Sequence, residues 1–137
     1  PHHRSSAASD VYKRQSHVLE HVCQQEMKMT LHGIHRILKK DGLFYCSVPN
    51  MEILAKLLIS ERLNPQQKWH VMRMIFGGQT DKNDFHYFGW TLDFAKAFFG
   101  GAGFRNIKVV KSFNIFDDTS DYKPYGVQIS LNLIAKK

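Results

Sequence analysis

Two histidines and a glutamate near the start of the sequence have the chemistry to move a proton or bind a metal ion. His17 and His21 are four residues apart, so on a helix they would share one face. The zinc-protease pattern requires a glutamate directly after the first histidine, and Val18 stands there instead. No third ligand is apparent in the sequence. We therefore predict no metal site.

A second group of polar side chains lies in residues 77–90, GGQTDKNDFHYFGW, which read as a long loop. Loops over a rigid sheet often carry substrate contacts. His86 is our first candidate for a base that takes a proton from a substrate, and Gln79 and Tyr87 are candidates for substrate binding.

The elements that must position these residues follow from hydrophobic spacing. Apolar residues at helical spacing predict an amphipathic helix over about residues 25–39, ended by the following Lys-Lys-Asp-Gly. Residues 43–48, LFYCSV, predict a short strand buried on both faces and bounded by Gly42 and Pro49. A helix, a tight turn and a buried strand in this order are typical of an α/β sheet.

The remaining segments predict three more helices and a final strand pair. The helices cover residues 51–63, 65–76 and 91 to about 100. Residues 105–113 and 126–135 should pair antiparallel, the second with one half-exposed face. We further predict that Trp69, Trp90, Phe98 and Phe99 lie in the core and that Asp117 and Asp118 form an exposed polar turn.

Composition limits the class of protein. The 137 residues, 43% hydrophobic, suffice for one globular domain. The net charge of +7 permits nucleic-acid contact, but the basic residues are scattered, so nucleic-acid binding is not favoured. Two cysteines outside any CxxC pair, with no signal peptide or membrane span, favour a soluble cytoplasmic protein.

The first fifteen residues, PHHRSSAASDVYKRQ, show no helix or strand period. Residues 10–15, DVYKRQ, resemble the translation of a transposase adapter used in sequencing libraries. We interpret residues 1–15 as an adapter-derived, non-native segment that belongs outside the fold; an ordinary disordered basic tail is the alternative. The natural gene is then expected to continue upstream of Ser16.

Three motifs resemble class I S-adenosylmethionine (SAM) methyltransferases. Residues 16–22, SHVLEHV, resemble the segment after the fourth strand of that family. Residues 34–43, IHRILKKDGL, resemble its "EixRvLKPGG" helix end, and residues 44–50, FYCSVPN, resemble its fifth strand. The Phe-Gly-Gly-Gln of residues 76–79, together with His86 and the C-terminal strand, resembles predicted methyltransferases found among surface-polysaccharide genes.

The resemblance implies a fold and a set of roles. It implies the C-terminal half of a Rossmann-like, mostly parallel sheet with SAM as cofactor. It places Ser16 and His17 at the cofactor-facing end of the fourth strand, and Glu20 and His21 at the start of the next helix. Ser16, His17 and Glu20 are then candidates for cofactor binding, and His21 is a possible general base. It places Asn50 beside the acceptor pocket, where an amide could orient a polar acceptor. Ordinary structural roles compete with these: hydrogen bonding at a helix start for residues 17–21, and helix capping for Asn50.

One departure from the family concerns its cofactor loop. The family binds SAM with a Gly-rich loop after its first strand and an acidic residue at the end of its second. The sequence has no GxGxG, and residues 100–103, GGAG, follow a predicted helix and therefore read as a turn. We expect the missing loop upstream of Ser16, which makes this chain a C-terminal fragment that is inactive alone.

The sequence thus predicts a protein that methylates a polar small molecule or a sugar-linked acceptor from SAM. A non-enzymatic interaction module that keeps half of the fold is the first alternative. A fragment of an RNA methyltransferase is the second, and steep salt dependence of RNA binding would favour it.

Overall fold

The computed structural model describes residues 10–114 and 119–137 as a four-stranded sheet with helices packed against it. The predicted turn at Asp117 and Asp118 lies outside the described residues. The strands and helices have these bounds: β1 Asp10–Ser16, α1 Gln24–Ile37, β2 Leu38–Pro49, α2 Met51–Leu58, α3 Pro65–Phe76, α4 Leu92–Gly101, β3 Arg105–Val110 and β4 Ser130–Lys136.

The strand order across the sheet is β1-β2-β4-β3. β1 runs parallel to β2, whereas β4 is antiparallel to both of its neighbours, β2 and β3. Ser16 pairs with Ser47, and Pro49 pairs with Ser130. The ends of β1 and β2 and the beginning of β4 therefore meet at one edge of the sheet, where ligands bind in open α/β sheets.

The main core is aromatic and lies between the sheet and the helices α1 and α4. Phe99 of α4 is fully buried and stacks on Phe44 of β2, with ring centroids 5.5 Å apart. The rings of Trp90 and Phe104 also contact the Phe99 ring, with centroid distances of 5.8 and 6.0 Å. This cluster fixes α4 against the centre of the sheet, since each ring buries a large apolar area.

Local signals set most helix boundaries as predicted. α3 begins and ends where the sequence predicts, and Asn64 and Gln67 form a capping box at its start. The Thr91 side chain accepts a hydrogen bond from the Phe94 amide and so caps α4. α2 is shorter than predicted and ends at Leu58.

The end of α1 differs from the prediction. The helix ends at Ile37, and Lys39 and Lys40 belong to β2 instead. Asp41, with φ of 62°, turns the chain within this long strand. The Lys-Lys-Asp-Gly signal therefore marks a bend of the strand and not the last turn of the helix.

Three further expectations are wrong. Asp10–Ser16 forms a strand along the open edge of β2, although its sequence has no strand period, because backbone pairing does not require side-chain alternation. That residues 1–15 derive from an adapter stays a prediction.

The final strand has no half-exposed face, because β4 lies between two strands and Ser130–Leu133 are buried. Trp69, predicted in the core, is 65% exposed, whereas Trp90 is buried as predicted.

Among the residues that the structure describes, no helix combines the length and the apolar character needed to cross a bilayer.

Candidate functional site

A buried carboxylate surrounded by histidines lies at the sheet edge where β1 ends. His17 leaves β1 with φ of 52°, and a short 3-10 helix, Leu19–His21, follows it. The 77–90 loop crosses this helix, and the Tyr87 amide donates to the Glu20 carbonyl at 2.7 Å. This backbone bond brings His86, distant in sequence, beside the 3-10 helix.

Gly77 allows the loop to reach that position. Its φ is +87°, and a Cβ there would collide with the Asp84 carbonyl. The His86 amide then donates to the Phe76 carbonyl at 3.0 Å, so the loop returns to the end of α3 where it began.

His21 and His86 contact each other edge to face, with ring centroids 4.8 Å apart. Each has its Nδ1 within hydrogen-bond distance of a backbone carbonyl: Phe85 at 3.1 Å for His21, and Met74 at 3.0 Å for His86. A carbonyl can only accept, so each Nδ1 carries the proton. In each neutral ring, Nε2 is then unprotonated and its lone pair can accept a proton.

His17 completes the cluster from the other side. Its Nε2 lies 2.8 Å from the Ser130 hydroxyl at the beginning of β4, and its Nδ1 lies 3.7 Å from Glu20 Oε1. His21 Nε2 is 3.9 Å from the same oxygen. We call His17, Glu20, His21 and His86 the histidine–glutamate cluster.

Burial controls the protonation of this cluster. The Glu20 side chain is 2% exposed, and its Oε2 has no hydrogen-bond partner. Desolvation raises the pKa of Glu20 from 4.5 to about 7. Burial and the nearby rings of His86 and His21 lower the pKa of His17 to about 4. Burial, followed by the proximity of His21, also lowers the pKa of His86. Near pH 7 His17 and His86 are therefore neutral, and the carboxyl group of Glu20 beside them is only partly ionised.

Replacing Glu20 with glutamine should stabilise the folded chain at alkaline pH. A carboxyl whose pKa rises on folding holds its proton more tightly when folded, so ionising it costs stability. The cost is absent well below pH 4.5, grows as the pH rises, and is complete above about 7. The gain from Glu20→Gln should be about 1 kcal/mol at pH 5 and about 3 kcal/mol at pH 8. Urea unfolding at both pH values measures it.

Glu61, exposed in the turn after α2, provides the control for this prediction. Glu61→Gln should change the free energy of unfolding by less than about 0.5 kcal/mol at either pH. An equal gain from Glu20→Gln at pH 5 and pH 8 would contradict the burial of an ionisable carboxyl.

The side chains of the other predicted site residues are not members of the cluster. Ser16 is the last residue of β1 and pairs with Ser47. The Asn50 side chain accepts from the Glu52 amide, which agrees with its capping role, and Asn50 also lines an open groove of about 270 Å³ together with Ser130. Gln79 is exposed and lines a larger open groove of about 490 Å³ with Trp69 and Phe76. Tyr87 is 51% exposed.

The groove of about 490 Å³ has none of the cluster residues in its lining. We take the cluster as the candidate site nonetheless, because Arg73 is the ionisable residue of that lining, whereas the cluster brings four titratable side chains together. Sequence reasoning missed Ser130, which fixes the His17 ring. No local signal marks Ser130, because only the antiparallel register of β4 brings it to His17.

No family model matches the chain, and no curated protein matches it in sequence. Solved structures do match. A SAM-dependent methyltransferase from Archaeoglobus fulgidus superposes with a TM-score of 0.57 at 14% identity, over 96% of this chain and 60% of that one. A Nostoc punctiforme protein assigned as an O-methyltransferase gives 0.55 at 12% identity, over 96% and 32%. A chain from the complex of a Haloferax volcanii methyltransferase activator with its candidate methyltransferase gives 0.53 at 15%, over 95% and 54%.

These matches establish the fold. The chain has the α/β fold of SAM-dependent methyltransferases, which confirms at the level of fold the resemblance carried by its motifs. It spans between about a third and three fifths of the length of the structures it matches.

Proposed function

We propose that the protein transfers a methyl group from SAM to an oxygen or nitrogen atom of a polar small-molecule or glycan-type acceptor. In this proposal the chain supplies the acceptor-facing, C-terminal half of the domain, and it does not act alone. The observation that carries the proposal is the histidine–glutamate cluster at the sheet edge where ligands bind in this class of fold.

In this proposal, the residues at the end of β1 line one side of the cofactor. Bound SAM supplies an electrophilic methyl group on a sulfonium. Ser16, His17 and Glu20 would face the cofactor there, and the unpartnered Glu20 Oε2 is a buried acceptor suited to a polar or cationic ligand. The sequence contains no GxGxG, the Gly-rich loop with which class I SAM methyltransferases hold the cofactor.

On the acceptor side, the cluster can take a proton. Methyl transfer to a hydroxyl or amine releases a proton, and a base within hydrogen-bond reach lowers the barrier. His21 Nε2 lies 3.9 Å from Glu20 Oε1, and a ring nitrogen of His86 lies within 4.8 Å of a Glu20 oxygen, so the carboxylate stabilises a proton taken by either ring. Asn50, Gln79 and Tyr87, along the surrounding grooves and loop, are the proposed acceptor contacts.

The first test is the genomic sequence upstream of the Ser16 codon, followed by SAM binding of the encoded protein. We expect an in-frame strand, a GxGxG loop and an acidic strand end, and SAM binding by that longer product in calorimetry. The 137-residue chain should bind SAM at least about 100-fold more weakly. A start codon near Ser16, with no SAM binding, would overturn the proposal in favour of an interaction module.

A further inference from the structure

We propose that Glu20, His21 and His86 form a binding site for a divalent transition-metal ion. One ligand atom from each of these side chains lies within 4.8 Å of the other two. Two imidazoles and one carboxylate are a common donor set for such ions. The sequence alone predicts no metal here, because the third ligand, His86, lies 65 residues beyond His21.

The orientation of the two rings is the first argument. The Nδ1 of His21 is bound to the Phe85 carbonyl, and that of His86 to the Met74 carbonyl. Metal-binding histidines usually donate their second nitrogen to such an acceptor, which fixes the tautomer and aims the other lone pair at the ion. Both rings are therefore held in the ligand tautomer before any ion arrives.

The carboxylate is the second argument. Glu20 is almost completely buried, yet Oε2 has no hydrogen-bond partner. Apart from a hydrogen bond from its own backbone amide, the carboxylate has imidazole nitrogens at 3.7 and 3.9 Å from Oε1. A buried carboxylate with an unsatisfied oxygen is costly unless it is neutralised or bound to a cation. A divalent ion between the rings and the carboxylate would supply that partner.

The donor set and the spacing select the class of ion. Two nitrogen donors favour zinc, iron, cobalt or nickel over magnesium and calcium. Ligand distances of about 2.1 Å put two ligands of one ion at most about 4.2 Å apart. The present spread of 4.8 Å exceeds this limit by about half an ångström, so the ligand atoms must draw together by that amount when the ion binds.

Three protein ligands leave coordination positions open. Side-chain exposure of 30% at His21 gives the ion a route from solvent. If the proposed methyl transfer holds, an acceptor oxygen could occupy an open position, where the ion's charge would favour loss of its proton. Ion binding itself rests on this chain's residues and not on that activity.

Calorimetric titration of the 137-residue chain with Zn²⁺ tests the site, with Co²⁺ absorption as a second readout. His2 and His3 are replaced by glutamine in every sample, so that this N-terminal pair cannot bind the ion. We expect one ion bound per chain. The visible absorption bands of bound Co²⁺ should be those of an ion with a low coordination number. Glu20→Gln and His86→Asn should each weaken binding by about 100-fold or more.

The controls separate the site from general histidine binding and from unfolding. His32, exposed on α1, is the matched control, and His32→Gln should leave the affinity within about twofold. The Asn side chain at position 86 can still donate to the Met74 carbonyl, so circular dichroism should show a folded chain. An unchanged affinity in the folded His86→Asn variant, or no binding by the parent chain, overturns the site. Either result leaves SAM binding, measured separately, free to succeed or fail.

Discussion

In the proposed methyltransferase, replacing His86 with asparagine should lower the rate of methyl transfer by about 10²–10⁴-fold. The reason is the removal of Nε2, the ring nitrogen that stays unprotonated because Nδ1 donates to the Met74 carbonyl. Asparagine has roughly the reach of the Nδ1 side of the ring and can keep the bond to the Met74 carbonyl. The measurement is transfer of labelled methyl from SAM to acceptor, with kcat and KM determined separately.

The effect should fall on kcat, because the lost group acts on the proton released during the reaction. His32→Gln, an exposed change on α1, should leave kcat within about twofold. A folded His86→Asn protein with unchanged kcat would remove the cluster from the reaction, whatever its affinity for metal.

Replacing Phe99 with alanine should destabilise the chain by about 3–5 kcal/mol. Its ring is fully buried among those of Phe44, Trp90 and Phe104, and removing it leaves a cavity that the sheet and α4 cannot close. Domains have only about 5–15 kcal/mol of stability in total, so much of the protein should unfold at 37 °C. Urea unfolding monitored by Trp90 fluorescence measures the loss.

Phe94, on the same helix but 50% exposed, provides the comparison. Phe94→Ala removes the same atoms from α4 and should cost less than about 1 kcal/mol. Equal losses for the two variants would mean that helix propensity, and not the buried aromatic cluster, dominates the effect.

The local part of the fold could be predicted from the sequence. The bounds of α3, the cap at Thr91 and the buried strand before Pro49 follow from signals within a few residues. The antiparallel pairing of β4 with β3 was predicted, but its pairing with β2 on the other side was not, because the period of a strand does not reveal its neighbours. That position explains why the strand has no exposed face.

The residues of the candidate site could likewise be predicted from the sequence, but the fact that they lie together could not. His17, Glu20, His21 and His86 all stand out by residue type. Their meeting depends on the Tyr87–Glu20 backbone bond and on the loop that Gly77 allows to turn back. Such long-range contacts leave no spacing pattern, so the metal-binding potential became visible only with the third ligand in place.

The central place of β4 also bears on how the chain folds during translation. β3 joins the sheet only through β4, and the partners of β4 on the other side lie at Leu43–Pro49, more than eighty residues earlier. When the ribosome has completed β3, the strand that must lie between β2 and β3 has not yet been made, so β3 cannot join the sheet. We expect the sheet to close only after Lys136 has left the exit tunnel, which makes the nascent chain a substrate for chaperones.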